Sequence, residues 1–98
     1  MPDRPASALG EYPPDLVAES PTPLYVQLAD WLAGLVDSGR LASGKKLPPE
    51  RDLADEWGVS YMTVRRTMKE LRERGLVEST LGKGTFIASR STSPWHKP

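Results

Sequence analysis

The sequence contains no cysteine and only one histidine, His96, which lies near the end of the chain. These absences exclude disulfides, thiolate metal sites and a cysteine nucleophile, and they leave no imidazole for a structured catalytic pocket. No apolar run approaches the ~20 residues that span a membrane, and the first residues lack a signal-peptide pattern. The 98 residues therefore predict one small, soluble, cytoplasmic domain that is not an enzyme, with no cofactor and no membrane partner.

Acidic and basic residues number 13 each, and a net charge of zero argues at first against a polyanionic partner. The distribution along the chain is uneven. Residues 1–39 carry one base and six acids, a net charge of −5, whereas residues 40–90 carry eleven bases and seven acids, a net charge of +4. Such asymmetry favours contact of the second segment with nucleic acid, although ordinary solvated faces explain the charge alone equally well.

Composition divides the chain into three segments. Residues 1–21 hold five prolines and few large apolar residues, so they predict a flexible arm in which Leu16 and Val17 are candidates for local docking. Residues 22–88 carry periodic apolar patterns and are predicted to form the folded domain. Residues 89–98 are predicted to be a short tail.

Three helices are predicted in the folded segment. The first begins at Thr22-Pro23, with Thr22 as N-cap, and ends at Gly39. The second spans residues 50–57, and the third is capped by Ser60 and continues to residue 74. Apolar residues at helical spacing, including Trp31 and Trp57, predict that each helix has one face in the core.

The pattern changes after the third helix. Residues 76–80 and 85–88 have the composition of strands, and they flank a glycine-bearing tip at residues 81–84. The fold class that follows is mainly α with a small β-hairpin, a winged helix-turn-helix of three helices and a two-stranded wing.

Ala54, Gly58 and Val64 have the spacing of a helix-turn-helix. A small residue such as Ala54 lets the second helix approach the third. Gly58 accepts the left-handed backbone that the turn needs, and Val64 fills the angle between the two helices. Two capped helices followed by a hairpin make this pattern specific.

The third helix has one apolar side and one basic side. Rotation at about 100° per residue places Val64, Thr67, Met68 and Leu71 together, so the opposite side is predicted to enter a major groove. The candidate contacts on this helix are Ser60, Tyr61, Thr63, Arg65, Arg66 and Lys69.

These candidates suit different parts of a duplex. Arg65 or Arg66 fits a bidentate pair with guanine, and Thr63 fits a base edge or a phosphate. The first-turn amides beside Ser60 favour a phosphate. Tyr61 fits a DNA contact and a cover for the core edge equally well. The alternative to DNA contact is that the basic residues only solubilise the helix and form ion pairs with Glu70 and Glu73.

The hairpin tip carries Lys83 between Gly82 and Gly84. Missing side chains let the backbone approach a phosphate or a minor groove, and Lys83 supplies positive charge there. A plain tight hairpin also accounts for the two glycines. We predict contact with DNA.

Several runs in residues 22–88 share the pattern of one family: Pro23-Leu24-Tyr25, Leu47-Pro48-Pro49-Glu50-Arg51, Gly58-Val59-Ser60, Thr63-Val64-Arg65 and Gly82-Lys83-Gly84-Thr85-Phe86-Ile87. They resemble the DNA-binding domain of GntR-type bacterial transcription regulators. The resemblance implies a winged helix that binds double-stranded operator DNA as a dimer and usually represses transcription. It also implies that Arg51, Thr63 and Arg65 contact DNA, with Gly82 and neighbouring wing residues such as Thr85 in the minor groove. The assignment of Arg51 rests on the resemblance alone.

The chain departs from the pattern of this family at Pro49, where serine is common, at Tyr61, where arginine is frequent, and at Lys83, where arginine is usual. Members normally continue into a C-terminal domain that binds an effector and dimerises the protein. For this chain the alternatives are a natural stand-alone DNA-binding protein and a truncated regulator. No effector site is evident, and a homodimer on DNA or a partner protein would have to supply dimerisation, so we expect modest, strongly salt-dependent affinity. The alternative function is a winged-helix protein-interaction module or accessory subunit with weak or no DNA binding.

Overall fold

The computed structural model describes residue 9, residues 11–13 and residues 15–88. Three helices precede two strands: α1 (Leu24–Asp37), α2 (Glu50–Trp57), α3 (Tyr61–Glu73), β1 (Val77–Thr80) and β2 (Gly84–Ile87). The two strands form one antiparallel hairpin, so the predicted winged helix-turn-helix is confirmed. In the part of the chain that is described, no helix is both long and apolar enough for a membrane span. The predicted tail at residues 89–98 lies outside the described residues.

The start of α1 differs from the prediction by one residue. Pro23, and not Thr22, is the N-cap, with φ −59° and ψ 151°, and no side chain caps the helix. The carbonyl of Pro23 accepts hydrogen bonds from the amides of Val26 and Gln27 at 3.0 and 3.1 Å. A backbone amide at this position would have no partner within the helix, so proline loses no hydrogen bond here. The helix therefore begins after Pro23 without a hydroxyl cap.

The helix-turn-helix is built as predicted. Gly58 ends α2 in the left-handed region with φ 67°, and the Val59 amide donates to the Ala54 carbonyl at 3.2 Å. Ser60 then caps α3, because its side-chain oxygen accepts a hydrogen bond from the Thr63 amide at 3.0 Å. These two local interactions set the angle between α2 and α3.

The core lies between the three helices and the base of the wing. The predicted stripe of α3 is confirmed, since Val64, Thr67, Met68 and Leu71 are each at most 1% exposed. The hydroxyl of Thr67 donates to the carbonyl of Thr63 at 2.9 Å, so this buried polar group is satisfied. The indole rings of α1 and α2 are in the core as predicted, since Trp57 is buried and Trp31 is partly buried against the same cluster. The two rings pack edge to face, with their centroids 5.7 Å apart.

An ion-pair network joins α3 to α1. Arg74, which follows α3, lies 2.9 Å from the carboxylate of Asp30 on α1 and 3.0 Å from that of Glu70 on α3. Hydrogen bonds to Glu70 and then to Asp30 raise the pKa of the Arg74 guanidinium above its ordinary value. The network therefore orients α3 with a group that stays charged at every physiological pH.

Residues 44–47 extend the wing sheet. The sequence predicts no strand between Gly39 and residue 50, yet the Leu47 amide donates to the Thr85 carbonyl and the Ile87 amide donates to the Lys45 carbonyl, both at 2.8 Å. Lys46 and Phe86 form an antiparallel bridge. The hairpin is thus flanked by a third extended segment, which fixes the wing against the body of the domain.

Part of the predicted N-terminal arm contacts the domain. Leu9 is 3% exposed and belongs to the core cluster, and Glu11 forms an ion pair with Arg40 at 2.8 Å. The side-chain amide of Gln27 accepts from the Val17 amide at 3.1 Å and donates to the Val17 carbonyl at 2.9 Å. The boundary at residue 22 stays a prediction, but these described residues before it have fixed partners.

Candidate nucleic-acid interface

The outward side of α3 carries two separate strips. Tyr61 and Arg65 are four residues apart and form the first strip, while Met62, Arg66 and Lys69 form the second. All five residues are exposed. Burial of the apolar stripe on the other side of α3 turns both strips away from the core.

The ring of Tyr61 lies between two guanidinium groups from different helices. The guanidinium carbon of Arg51 on α2 is 5.7 Å from the ring centroid, and that of Arg65 on α3 is 5.9 Å from it. Both distances are within the range of cation–π attraction. The structure therefore brings together Arg51, Tyr61 and Arg65, three of the predicted contacts, and it supplies the link to Arg51 that the pattern of residues alone did not show.

Ser60 and Thr63 form the beginning of α3. The Ser60 hydroxyl accepts from the Thr63 amide and donates to the Thr63 hydroxyl, both at 3.0 Å. The first intrahelical bond is donated by Val64 to the Ser60 carbonyl at 3.2 Å. The amides of Tyr61 and Met62 precede that bond at the positive end of the helix dipole, where an anion is stabilised.

Arg66 and Lys69 line a different hollow from Arg51 and Tyr61. Their neighbours there are Tyr25, Glu70 and Glu73. Lys69 lies 3.9 Å from Glu73, a long and exposed ion pair that contributes little. The alternative interpretation, a helix face neutralised by Glu70 and Glu73, thus applies in part to Lys69, whereas Glu70 pairs with the arginine after the helix.

The wing contacts α3 through the Ser79 hydroxyl, which also approaches the Thr85 hydroxyl on the other strand. Arg72 donates to the Ser79 hydroxyl at 3.3 Å, and the hydroxyls of Ser79 and Thr85 lie 3.3 Å apart across the hairpin. At the tip, Gly82 has φ 78° and the Lys83 amide donates to the Thr80 carbonyl at 2.9 Å. The side chain of Lys83 is exposed beside this turn. Sequence analysis placed Gly84 in the tip, and the structure makes it the first residue of β2.

A groove of about 490 Å³ runs between the start of α2, the start of α3 and β2. It connects the helix candidates with the wing candidates, since Arg51, Tyr61, Gly84 and Thr85 all line it. Lys46 also lines this groove, and sequence analysis did not identify it. No local pattern distinguishes Lys46 from Lys45, because its position depends on pairing with a strand far along the chain.

Metal chemistry has no support in this interface. Within residue 9, residues 11–13 and residues 15–88, no group of three or more histidine, cysteine or acidic residues is placed to hold a metal ion. The chemistry that the interface offers is cationic and hydrogen-bonding, and it suits an anionic polymer with polar edges.

The sequence model described as bacterial regulatory proteins, gntR family, matches residues 24–87. The chain belongs to the gntR family. The HTH-type transcriptional regulator SmoD of Agrobacterium fabrum (strain C58 / ATCC 33970) is 45% identical to it over 70% of this chain and 30% of the regulator. The HTH-type transcriptional repressor NagR of Bacillus subtilis (strain 168) is 37% identical over 71% of this chain and 29% of the repressor. This gntR-family chain thus spans about a third or less of the length of the curated relatives that it matches.

Solved structures show the same architecture. The DNA-binding domain of AraR, crystallised in complex with the operator ORX1, superposes with a TM-score of 0.67 at 28% identity. The match covers 80% of this gntR-family chain and 100% of the AraR chain. YtrA of Sulfolobus acidocaldarius, a GntR-family transcription factor, superposes with a TM-score of 0.70 at 32% identity, over 80% of this chain and 85% of the YtrA chain.

Proposed function

We propose that this gntR-family chain is the sequence-specific, double-stranded DNA-binding domain of a transcription regulator. The observation that carries the proposal is the outward cluster of Arg51, Tyr61 and Arg65 beside the N-terminus of α3. Among the described residues, no carboxylate forms an ion pair with either guanidinium. Both charges are therefore available to a polyanion.

In the proposed complex, α3 and the wing contact two different grooves of the duplex. In the proposed complex α3 enters the major groove, where Arg65 pairs with a guanine edge and Thr63 meets a base edge or phosphate. Ser60 and the first-turn amides of α3 hold a phosphate. The second strip of α3, with Arg66 and Lys69, faces the opposite backbone of the same groove. The wing tip, with Gly82 and Lys83, approaches the minor groove.

We further propose that the regulator is a repressor that acts on the chromosome in the cytoplasm. Its relatives include a protein named as a transcriptional repressor. Two copies of the domain would occupy the half-sites of an operator with two-fold symmetry, because a single half-site offers few contacts. Selection of bound sequences from random duplexes tests this, since half-sites separated by about 10 base pairs, or a multiple of it, would report the dimer.

The experiment that tests the proposed function is a fluorescence titration of the selected duplex at two salt concentrations. Arg65→Ala is expected to weaken binding to the selected site by ~1–3 kcal/mol and to relax base preference at one position. Arg65→Lys is the matched control, because it keeps the charge and loses the planar fork, so the salt slope stays while the base preference is lost.

Two results would count against the proposal. No affinity for any duplex at low salt would favour the protein-interaction alternative. Binding of the Arg65→Ala variant with unchanged affinity and unchanged base preference would show that α3 does not read DNA through this face.

A further inference from the structure

We propose that Lys46 is an additional DNA contact, which neutralises the phosphate backbone that separates the major groove read by α3 from the minor groove approached by the wing. This inference rests on the proposed DNA-binding function and adds a residue and a sub-site to it. Lys46 lies outside every helix and outside the hairpin, in the extended segment before α2.

The sheet pairing decides where the Lys46 side chain lies. Lys46 is opposite Phe86, and the hydrogen bonds of Lys45 and Leu47 to β2 fix the register on both sides. Successive residues of a paired extended segment point to opposite faces of the sheet. Lys46 lines the groove beside α3, whereas Lys45 is not among the residues that line it.

The side chain of Lys46 crosses the backbone of the wing at Gly84. A Cβ atom at Gly84 would lie 2.9 Å from Lys46 Cε and 3.7 Å from Nζ, so a side chain there would displace the end of the lysine. Gly84 also has φ 115°, a conformation that other residues rarely adopt. The lysine side chain thus lies against the tip end of the wing, where β2 begins.

The charges around the groove are suited to an anion. Lys46 and Arg51 both line it, and among the described residues neither forms an ion pair with a carboxylate. One carboxylate, that of Glu50, lines the same groove, and it lies in the first turn of α2, where it compensates the helix dipole. Apolar groups of Leu47, Pro48 and Tyr61 form part of the wall.

The occupant follows from the geometry of a duplex. Neighbouring major and minor grooves share one sugar-phosphate backbone, which must pass between any element in the first and any element in the second. The groove lies between α3 and β2, and it is continuous with the proposed contacts of both through Tyr61 and Thr85. In the proposed complex a phosphate of this backbone lies in the groove, within reach of Lys46 Nζ.

The test compares two adjacent lysines in the otherwise intact chain. The Lys46→Ala and Lys45→Ala variants remove the same charge one residue apart, and affinity for the selected duplex is measured across a series of salt concentrations. Lys46→Ala is expected to reduce the slope of log K against log salt by about one unit, with equal losses on cognate and non-cognate duplexes. Lys45→Ala is expected to retain the slope of the parent, and Lys46→Arg to restore it.

The outcomes separate this proposal from the proposed function. A parent chain that binds no duplex at low salt overturns both. A parent that binds, with Lys46→Ala and Lys45→Ala giving the same slope, overturns the Lys46 assignment alone. A base-dependent loss in Lys46→Ala also overturns it, because a backbone contact carries no sequence information. Urea unfolding of both variants checks that each is as stable as the parent.

Discussion

The aromatic ring of Tyr61 lies 5.9 Å from the guanidinium carbon of Arg65, one turn along the same helix. A second guanidinium, from Arg51 on α2, lies 5.7 Å from the same ring. In the pattern of GntR-type regulators, arginine is frequent at the position of Tyr61. An arginine there would add a third positive charge and would repel Arg51 and Arg65. The ring instead attracts both, so it holds two of the proposed DNA contacts in defined positions before DNA arrives.

Replacement of Tyr61 separates the ring from the hydroxyl. Tyr61→Phe keeps the aromatic face, so affinity for the selected duplex should change by less than about twofold. Tyr61→Leu keeps apolar bulk but removes both cation–π contacts, and a loss of about 1 kcal/mol, or roughly fivefold in Kd, is expected. Fluorescence titration at one salt concentration measures the difference. If the phenylalanine variant lost as much as the leucine variant, the hydroxyl and not the ring would be the active group.

Ser60 caps α3, and two variants separate this structural role from its proposed contact with a phosphate. Ser60→Ala removes the cap bond to the Thr63 amide and should lower the free energy of unfolding by about 1 kcal/mol. Ser60→Asp restores a cap, so its stability in urea should match that of the parent. The added carboxylate would repel a phosphate, and DNA affinity should fall in this variant although the fold is intact. Unchanged affinity of the aspartate variant would place the phosphate elsewhere.

Two glycines provide a matched pair for the turn. Gly58 has φ 67°, and Gly58→Ala should destabilise the domain by about 1–2 kcal/mol, because a side chain in the left-handed region is strained. Gly34 lies inside α1, and a Cβ atom there would meet nothing within 4 Å. Gly34→Ala should therefore stabilise the domain by about 0.5–1 kcal/mol. Thermal or urea unfolding measures both, and shifts of the same sign would contradict the argument from backbone conformation.

Arg74 links α3 to α1 through Asp30 and Glu70. Arg74→Ala should lower the free energy of unfolding by about 0.5–1 kcal/mol, since the group is partly exposed and solvent screens its ion pairs. Asp30→Asn should produce a smaller loss, because Glu70 remains as a partner. The raised pKa of Arg74 means that its contribution is complete below its ordinary pKa and is lost only as pH rises through the higher, folded-state value. Urea unfolding between pH 6 and 9 should show the same difference throughout, and a pH-dependent difference in that range would assign the effect to another group.

Several features of the fold were predictable because they depend on neighbours in the chain. The cap at Ser60 and the left-handed turn at Gly58 follow from interactions between residues at most five positions apart, and the apolar stripe of α3 follows from spacings of three and four residues. The one-residue error at Thr22 has a local cause as well. A threonine before a proline satisfies the pattern of a cap, but the extended backbone of Pro23 takes the position itself.

In the N-terminal segment the structure shows contacts that composition does not register. The flexible arm stays a prediction, but among the described residues of this segment Leu9 is buried and the Val17 backbone is held by Gln27. Composition measures how much apolar surface a segment could bury by itself. It does not register a single leucine that fits a space in a neighbouring core.

The order of residues by itself determined the helices, their ends, the apolar stripe and the exclusion of thiol chemistry, since each depends on residue type and short-range spacing. Only the tertiary structure decided that Tyr61 lies between Arg51 and Arg65, and that Lys46 pairs opposite Phe86 and reaches the groove at Gly84. These contacts join elements separated by turns and whole helices. Their partners are selected by how the helices and the wing pack, and no period or local propensity in the chain encodes that choice.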